Sequence, residues 1–249
     1  MHLFKCILVG CFFLLPSVHA SSLCKFKELG QASHLLEHED YLKLSKAILI
    51  AENALHDRWF GINEKTLITA PVKAECTIGQ CGRAFSIIVA FLSLQGTPLE
   101  KLHFIEMREL LKGSTPQHYV LALETTDSEG KQNFILPDIT LNQFPFVVDA
   151  LKKTKEGREI IDGIEKEGFW IATEAHLEAY RKAMGGQAIL PVSAFGKSNL
   201  PGSLNDSENL EKMKKITRDH FNVEDDTGLL KILNKVNEID VHKRIEPKH

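Results

Sequence analysis

Gly79-Gln80-Cys81-Gly82-Arg83-Ala84-Phe85 is the stretch on which the reading of this chain turns. It runs into an apolar segment, Ile87-Ile88-Val89-Ala90-Phe91-Leu92, which stops at Gly96-Thr97-Pro98. That pattern predicts a helix from Cys81 to Leu94 with a cysteine in its first turn. Unpaired N–H groups give a helix N-terminus partial positive charge, which favours thiolate over thiol. Gly82 leaves the space beside the sulfur open to a substrate backbone, and the N–H of Cys81 is placed to face a developing oxyanion. Gln80 is a second candidate donor, or a residue that shapes the loop. A cysteine in such a run, taken alone, is an ordinary small buried residue. A chemical reading therefore needs partners.

The candidates lie downstream. His118 follows Cys81 by 37 residues and opens a β-rich alternating stretch, Tyr119 to Leu123. Asp127 to Gly130 reads as a turn, and Phe134 to Leu136 as the returning strand of a hairpin. Asp138 stands where that strand ends. Pairing of the two strands makes His118 and Asp138 neighbours. A histidine there takes the thiol proton and later hands it to a leaving amine. A carboxylate behind it fixes the tautomer and stabilises the imidazolium.

Cysteine at a helix start, histidine on a strand and aspartate after the next strand form a recognisable order. Gly79 to Thr140 resembles the transglutaminase-like branch of the papain-like thiol enzymes. Gly79-Gln80-Cys81 resembles that family's nucleophile motif, Gly96-Thr97-Pro98 its Gly-Ile-Pro, His118 its histidine strand and Asp138-Ile139-Thr140 its Asp-Pro-Thr. Gly82 stands where transglutaminases carry an aromatic residue, and His118-Tyr119-Val120 replaces His-Ala-Trp. Cys81-Gly82 with Ala84-Phe85, and Phe144 beyond Asp138, are also similar to bacteriocin-processing peptidases. The resemblance implies a papain-like α+β core and a catalytic triad of Cys81, His118 and Asp138. It implies acyl transfer from an amide through a thioester, with no cofactor and no metal. The implied substrate is a protein, a peptide or a glutamine side chain.

The 249 residues carry 43% hydrophobic and 25% charged side chains, with a formal charge of −3 and a pI near 6.4. Those values fit a globular chain and leave no basic excess for a nucleic-acid backbone. The first 20 residues read as a signal peptide: Lys5, an apolar Cys6–Leu15, Pro16, and Val18-His19-Ala20 as the cleavage site. Leu8-Val9-Gly10-Cys11 loosely fits a lipoprotein box, but leaves a short apolar region before it. Export to a periplasm or outside the cell is expected, with no membrane span after cleavage. Cleavage leaves Cys24, Cys76 and Cys81. An odd count in an oxidising compartment suggests one disulfide and one free thiol. The expected bridge is Cys24–Cys76, with Cys76–Cys81 as its rival.

Ser33 to His56 reads as a long helix. Leu102 to Leu111 fits helix or strand, while Phe146–Lys153 and Glu174–Met184 read as helices. Residues 21–188 are expected to form the catalytic domain, and 189–207, rich in Pro, Gly, Ser and Asn, a linker. Residues 208–249 are expected to be a helical extension, with segments near Glu208–His220 and Thr227–Asn237. Helices followed by strands and then helices point to an α+β domain with a small antiparallel sheet. Two other readings compete with the thiol enzyme. One is a binding or structural protein of the same fold, with Cys81 in a disulfide. The other is a zinc hydrolase, because His34-Leu35-Leu36-Glu37-His38 fits H-x-x-E-H, with His34 and His38 as ligands and Glu37 as base. The oligomeric state is open.

Overall fold

The computed structural model describes residues 38–55, 80–108, 117–126, 132–184 and 207–237. Within them the chain is α+β, with seven α-helices and one four-stranded antiparallel sheet. The helices are α1 (His38–Leu55), α2 (Cys81–Leu94), α3 (Pro145–Leu151), α4 (Lys155–Glu167), α5 (Glu174–Ala183), α6 (Ser207–Phe221) and α7 (Asp226–Asn237). The strands are β1 (Leu102–Arg108), β2 (Gln117–Thr126), β3 (Gln132–Pro137) and β4 (Phe169–Ile171), paired in that order.

Alternation along β2 builds two cores. Leu121 and Leu123 join Ile135 of β3 and Phe169 of β4 on the face covered by α1, α2 and α7. Val120 and Ala122 join Phe134, Leu136 and Trp170 on the face covered by α3, α4 and α5. A strand points successive side chains to opposite faces, so apolar residues at every position mean helices on both sides. The ambiguous segment after Lys101 is strand, because Leu102–Arg108 pairs along its whole length with Gln117–Leu123.

From Ala84 to Leu92 every residue of α2 is buried. A helix apolar all round belongs in the middle of a fold. Accordingly α2 packs on α1, β2, α6 and α7. Facing it, α1 offers Leu44, Ala47, Ile48, Ala51 and Leu55, a stripe at helical spacing. Each large side chain withdrawn in this way contributes roughly 1.5–3 kcal/mol. Ser86 is the polar exception inside α2. Its hydroxyl donates to the Gly82 carbonyl at 2.7 Å and also lies 3.0 Å from Met213 Sδ on α6. Helices α6 and α7 thus share the core around α2: Leu229, Ile232, Leu233 and Val236 of α7 are buried in it.

Residues 154–171 hold a helix and a strand without counterpart in the sequence reading. Thr154 caps α4 by accepting from the Gly157 N–H at 3.0 Å, and Gly168 ends it in the left-handed conformation (φ 79°). Gly157 and Gly163 lie inside α4 because backbone comes too close for a side chain. A Cβ at Gly157 would stand 2.1 Å from the Leu151 carbonyl oxygen, and one at Gly163 2.6 Å from that of Phe169.

Candidate active site

Three segments converge on His118. The first is the N-terminus of α2. The Gln80 carbonyl accepts the Ala84 N–H at 2.9 Å, closing the first helical turn, and the Gln80 side chain makes no capping hydrogen bond. Cys81 is therefore the first helical residue; it is buried and forms no disulfide among the described residues. None of the described atoms lies within 4 Å of where a Cβ would stand on Gly82. Among the described residues, the space beside Gly82 is open.

The second segment is the start of β2. Nε2 of His118 lies 2.8 Å from Asp138 Oδ1, and both side chains are wholly buried. The register of β2 and β3 pairs Leu123 with Ile135; carried onward, it sets Asp138 opposite Val120, two residues from His118 on the same face. With Nε2 held by the carboxylate, Nδ1 is the nitrogen left for the thiol, and Cys81 makes a side-chain hydrogen bond to the ring.

The third segment follows Asp138. The chain turns immediately: the Asp138 carbonyl accepts from the Leu141 N–H at 3.3 Å, and Leu141–Gln143 forms one 3-10 turn. Pro145 then opens α3, where a missing N–H costs nothing. This sharp path returns Gln143 and Phe144 to the imidazole. Gln143 Nε2 lies 3.3 Å from His118 Nδ1, and the Phe144 ring meets the imidazole edge-on at 5.1 Å. Phe146, largely exposed, continues the aromatic rim from Phe144. Behind the carboxylate, Tyr180 of α5 approaches Asp138 Oδ2 at 3.5 Å and stacks on Trp170.

Burial disfavours a charged imidazole, but the Asp138 charge and hydrogen bond, with a further contribution from Cys81, raise His118 to about 9. At neutral pH this favours the imidazolium form of His118. Burial, then the negative charges of Asp138 and Cys81, push Tyr180 well above the ordinary phenol, so it stays a neutral donor to the carboxylate.

The structure therefore brings together Cys81, His118 and Asp138, with Gly82 beside them and Gln80 one residue before. Gln143, Phe144 and Tyr180 complete the surroundings. The sequence reading singled out neither Gln143 nor Tyr180. Cys24, Cys76, His34 and Glu37 lie outside the described residues, as does the side chain of His38. No group of three metal-ligating side chains occurs among the described residues. A cleft of about 160 Å³ between α4 and β4 is lined in part by Glu159, Lys166, His176 and Trp170, and Trp170 stacks on Tyr180 of this site.

Comparison with family models, with curated proteins and with solved structures returned no match for this chain. What the site does has to be argued from its own chemistry.

Proposed function

We propose that the chain is an exported thiol enzyme of the papain-like or transglutaminase-like type, acting on amide bonds. The observation that carries this reading is the buried line of Cys81, His118 and Asp138, with the thiol at the first turn of α2. Cys81 is the nucleophile, His118 the base and then the acid, and Asp138 the group that orients the ring. The thiolate adds to the amide carbonyl, the imidazolium gives its proton to the departing amine, and a thioester remains. Hydrolysis, deamidation and transamidation share this first half-reaction and differ in what attacks the thioester. The substrate is a protein or peptide, its backbone passing over Gly82. No cofactor or metal enters these steps. Export follows from the N-terminal signal sequence rather than from the fold.

Iodoacetamide alkylation measured across pH, on the intact protein and on Cys81→Ala, tests the reading. The expected result is rapid labelling of Cys81 at pH 6, where an unperturbed thiol is almost fully protonated. Labelling that rises only above pH 8 would reduce Cys81 to an ordinary buried cysteine.

A further inference from the structure

We propose that Tyr180 is a positioning residue for the reaction, its hydroxyl holding one oxygen of Asp138 so that the other faces the imidazole; this rests on the thiol-enzyme reading above. The Asp138 side chain is wholly buried, and its two oxygens are divided between two elements. Oδ1 meets His118 Nε2 of β2 at 2.8 Å, and Oδ2 accepts from the Tyr180 hydroxyl of α5 at 3.5 Å. Among the described residues Tyr180 is the one donor to Oδ2. A carboxylate held by one oxygen alone turns readily about its last side-chain bond and loses its line to the ring. The tyrosine does not follow such a turn. It is buried, its ring stacks on Trp170 with the planes 9° apart, and α5 packs on α3 and α4. It stands 42 residues beyond Asp138, outside the stretch that resembles the thiol-enzyme family. The helices on the face opposite α2 thus reach the carboxylate behind the histidine.

The contact also sets the charge balance of the pair. Without the His118 proton, histidine and aspartate together carry one negative charge; with it they carry none. A hydroxyl donating to Oδ2 stabilises the first state more than the second. Deleting that hydroxyl should therefore make His118 hold its proton to higher pH. Cys81 and Tyr180 are the other titratable groups acting on the pair, so the titration is read with the thiol removed.

Tyr180→Phe keeps the ring and deletes the donor. In full-length Cys81→Ala, the midpoint of the His118 titration followed by nitrogen NMR should rise by about 0.5–1 pH unit when Tyr180→Phe is added. With the thiol intact, the rate of acylation by p-nitrophenyl acetate should fall about tenfold in Tyr180→Phe. In the Asp138→Asn background the same substitution should change that rate by less than about twofold, because the group it acts through is already lost. An unmoved midpoint or an unchanged acylation rate would overturn the proposal. So would an equal fall with and without the carboxylate, which would make Tyr180 a packing residue alone. A raised midpoint in a protein whose native thiol is alkylated at pH 6 no faster than a free cysteine would remove the thiol-enzyme reading itself, and the tyrosine's role with it.

Discussion

Asp138 Oδ1 stands 2.8 Å from His118 Nε2, with both side chains withdrawn from solvent. A buried carboxylate or imidazolium left alone is costly, and each offsets part of that cost for the other. The pair also leaves Nδ1 as the ring's one route to the thiol. Geometry and charge thus bear on the same chemistry.

Removing the imidazole should disarm the sulfur. In His118→Ala the thiolate loses its counter-charge, and Cys81 returns toward an ordinary cysteine. Its alkylation rate at pH 6 is expected to fall about a hundredfold. Acyl transfer should vanish in this variant and in Cys81→Ala, with circular dichroism of Cys81→Ala unchanged. An unaltered alkylation rate at pH 6 would contradict the paired-thiol mechanism.

Replacing the carboxylate by its amide tests orientation. Asp138→Asn keeps the shape of the side chain but offers the ring the wrong balance of donors and acceptors. Acyl transfer should drop by about two to four orders of magnitude while substrate binding changes little. Steady-state kinetics would show a loss in kcat with KM nearly constant.

Stability should depend on pH through this pair. The folded state holds the His118 proton up to about 9, against about 6.5 in the unfolded chain. Its contribution is fully present below about pH 6.5 and is lost as pH rises through about 9. The Tm of the native protein should fall over that interval. The double variant His118→Gln, Asp138→Asn, which carries neither charge, should lose that part of the slope. Identical slopes would assign the pH dependence to other groups.

Two glycines should respond in opposite ways. At Gly82, with no described atom within 4 Å of a new Cβ, Gly82→Ala should leave stability unchanged or raise it by up to about 1 kcal/mol. Gly82→Leu should fold and yet lose activity on polypeptides, its side chain filling the approach to Cys81. At Gly157 a Cβ meets the Leu151 carbonyl, so Gly157→Ala should destabilise by about 1–3 kcal/mol. Urea melts of the variants decide both.

Much of the site was legible because its parts are local patterns. An apolar helix opened by a cysteine, and an alternating hairpin bounded by a turn, can be read without tertiary information. The register that brings Asp138 to His118 follows from the hairpin. The α4–β4 segment was not legible for a physical reason. Thr154 and Gly168 are ordinary helix signals, but Gly157 and Gly163 argue against a helix unless close backbone contacts are known, and those are tertiary. A three-residue strand, Phe169–Ile171, is too short to display alternation. Gln143 was missed because its contact with His118 depends on where a turn returns its side chain, and composition carries no trace of that.

The contact between Ser86 and Met213 spans 127 positions of the chain. Translated into time, a ribosome finishes α2 long before it makes the helix that covers that side of it. Until α6 and α7 emerge, the most apolar helix described here has α1 and the early strands for company and an uncovered flank. A chain ending before residue 207 therefore lacks the described side chains that cover that flank.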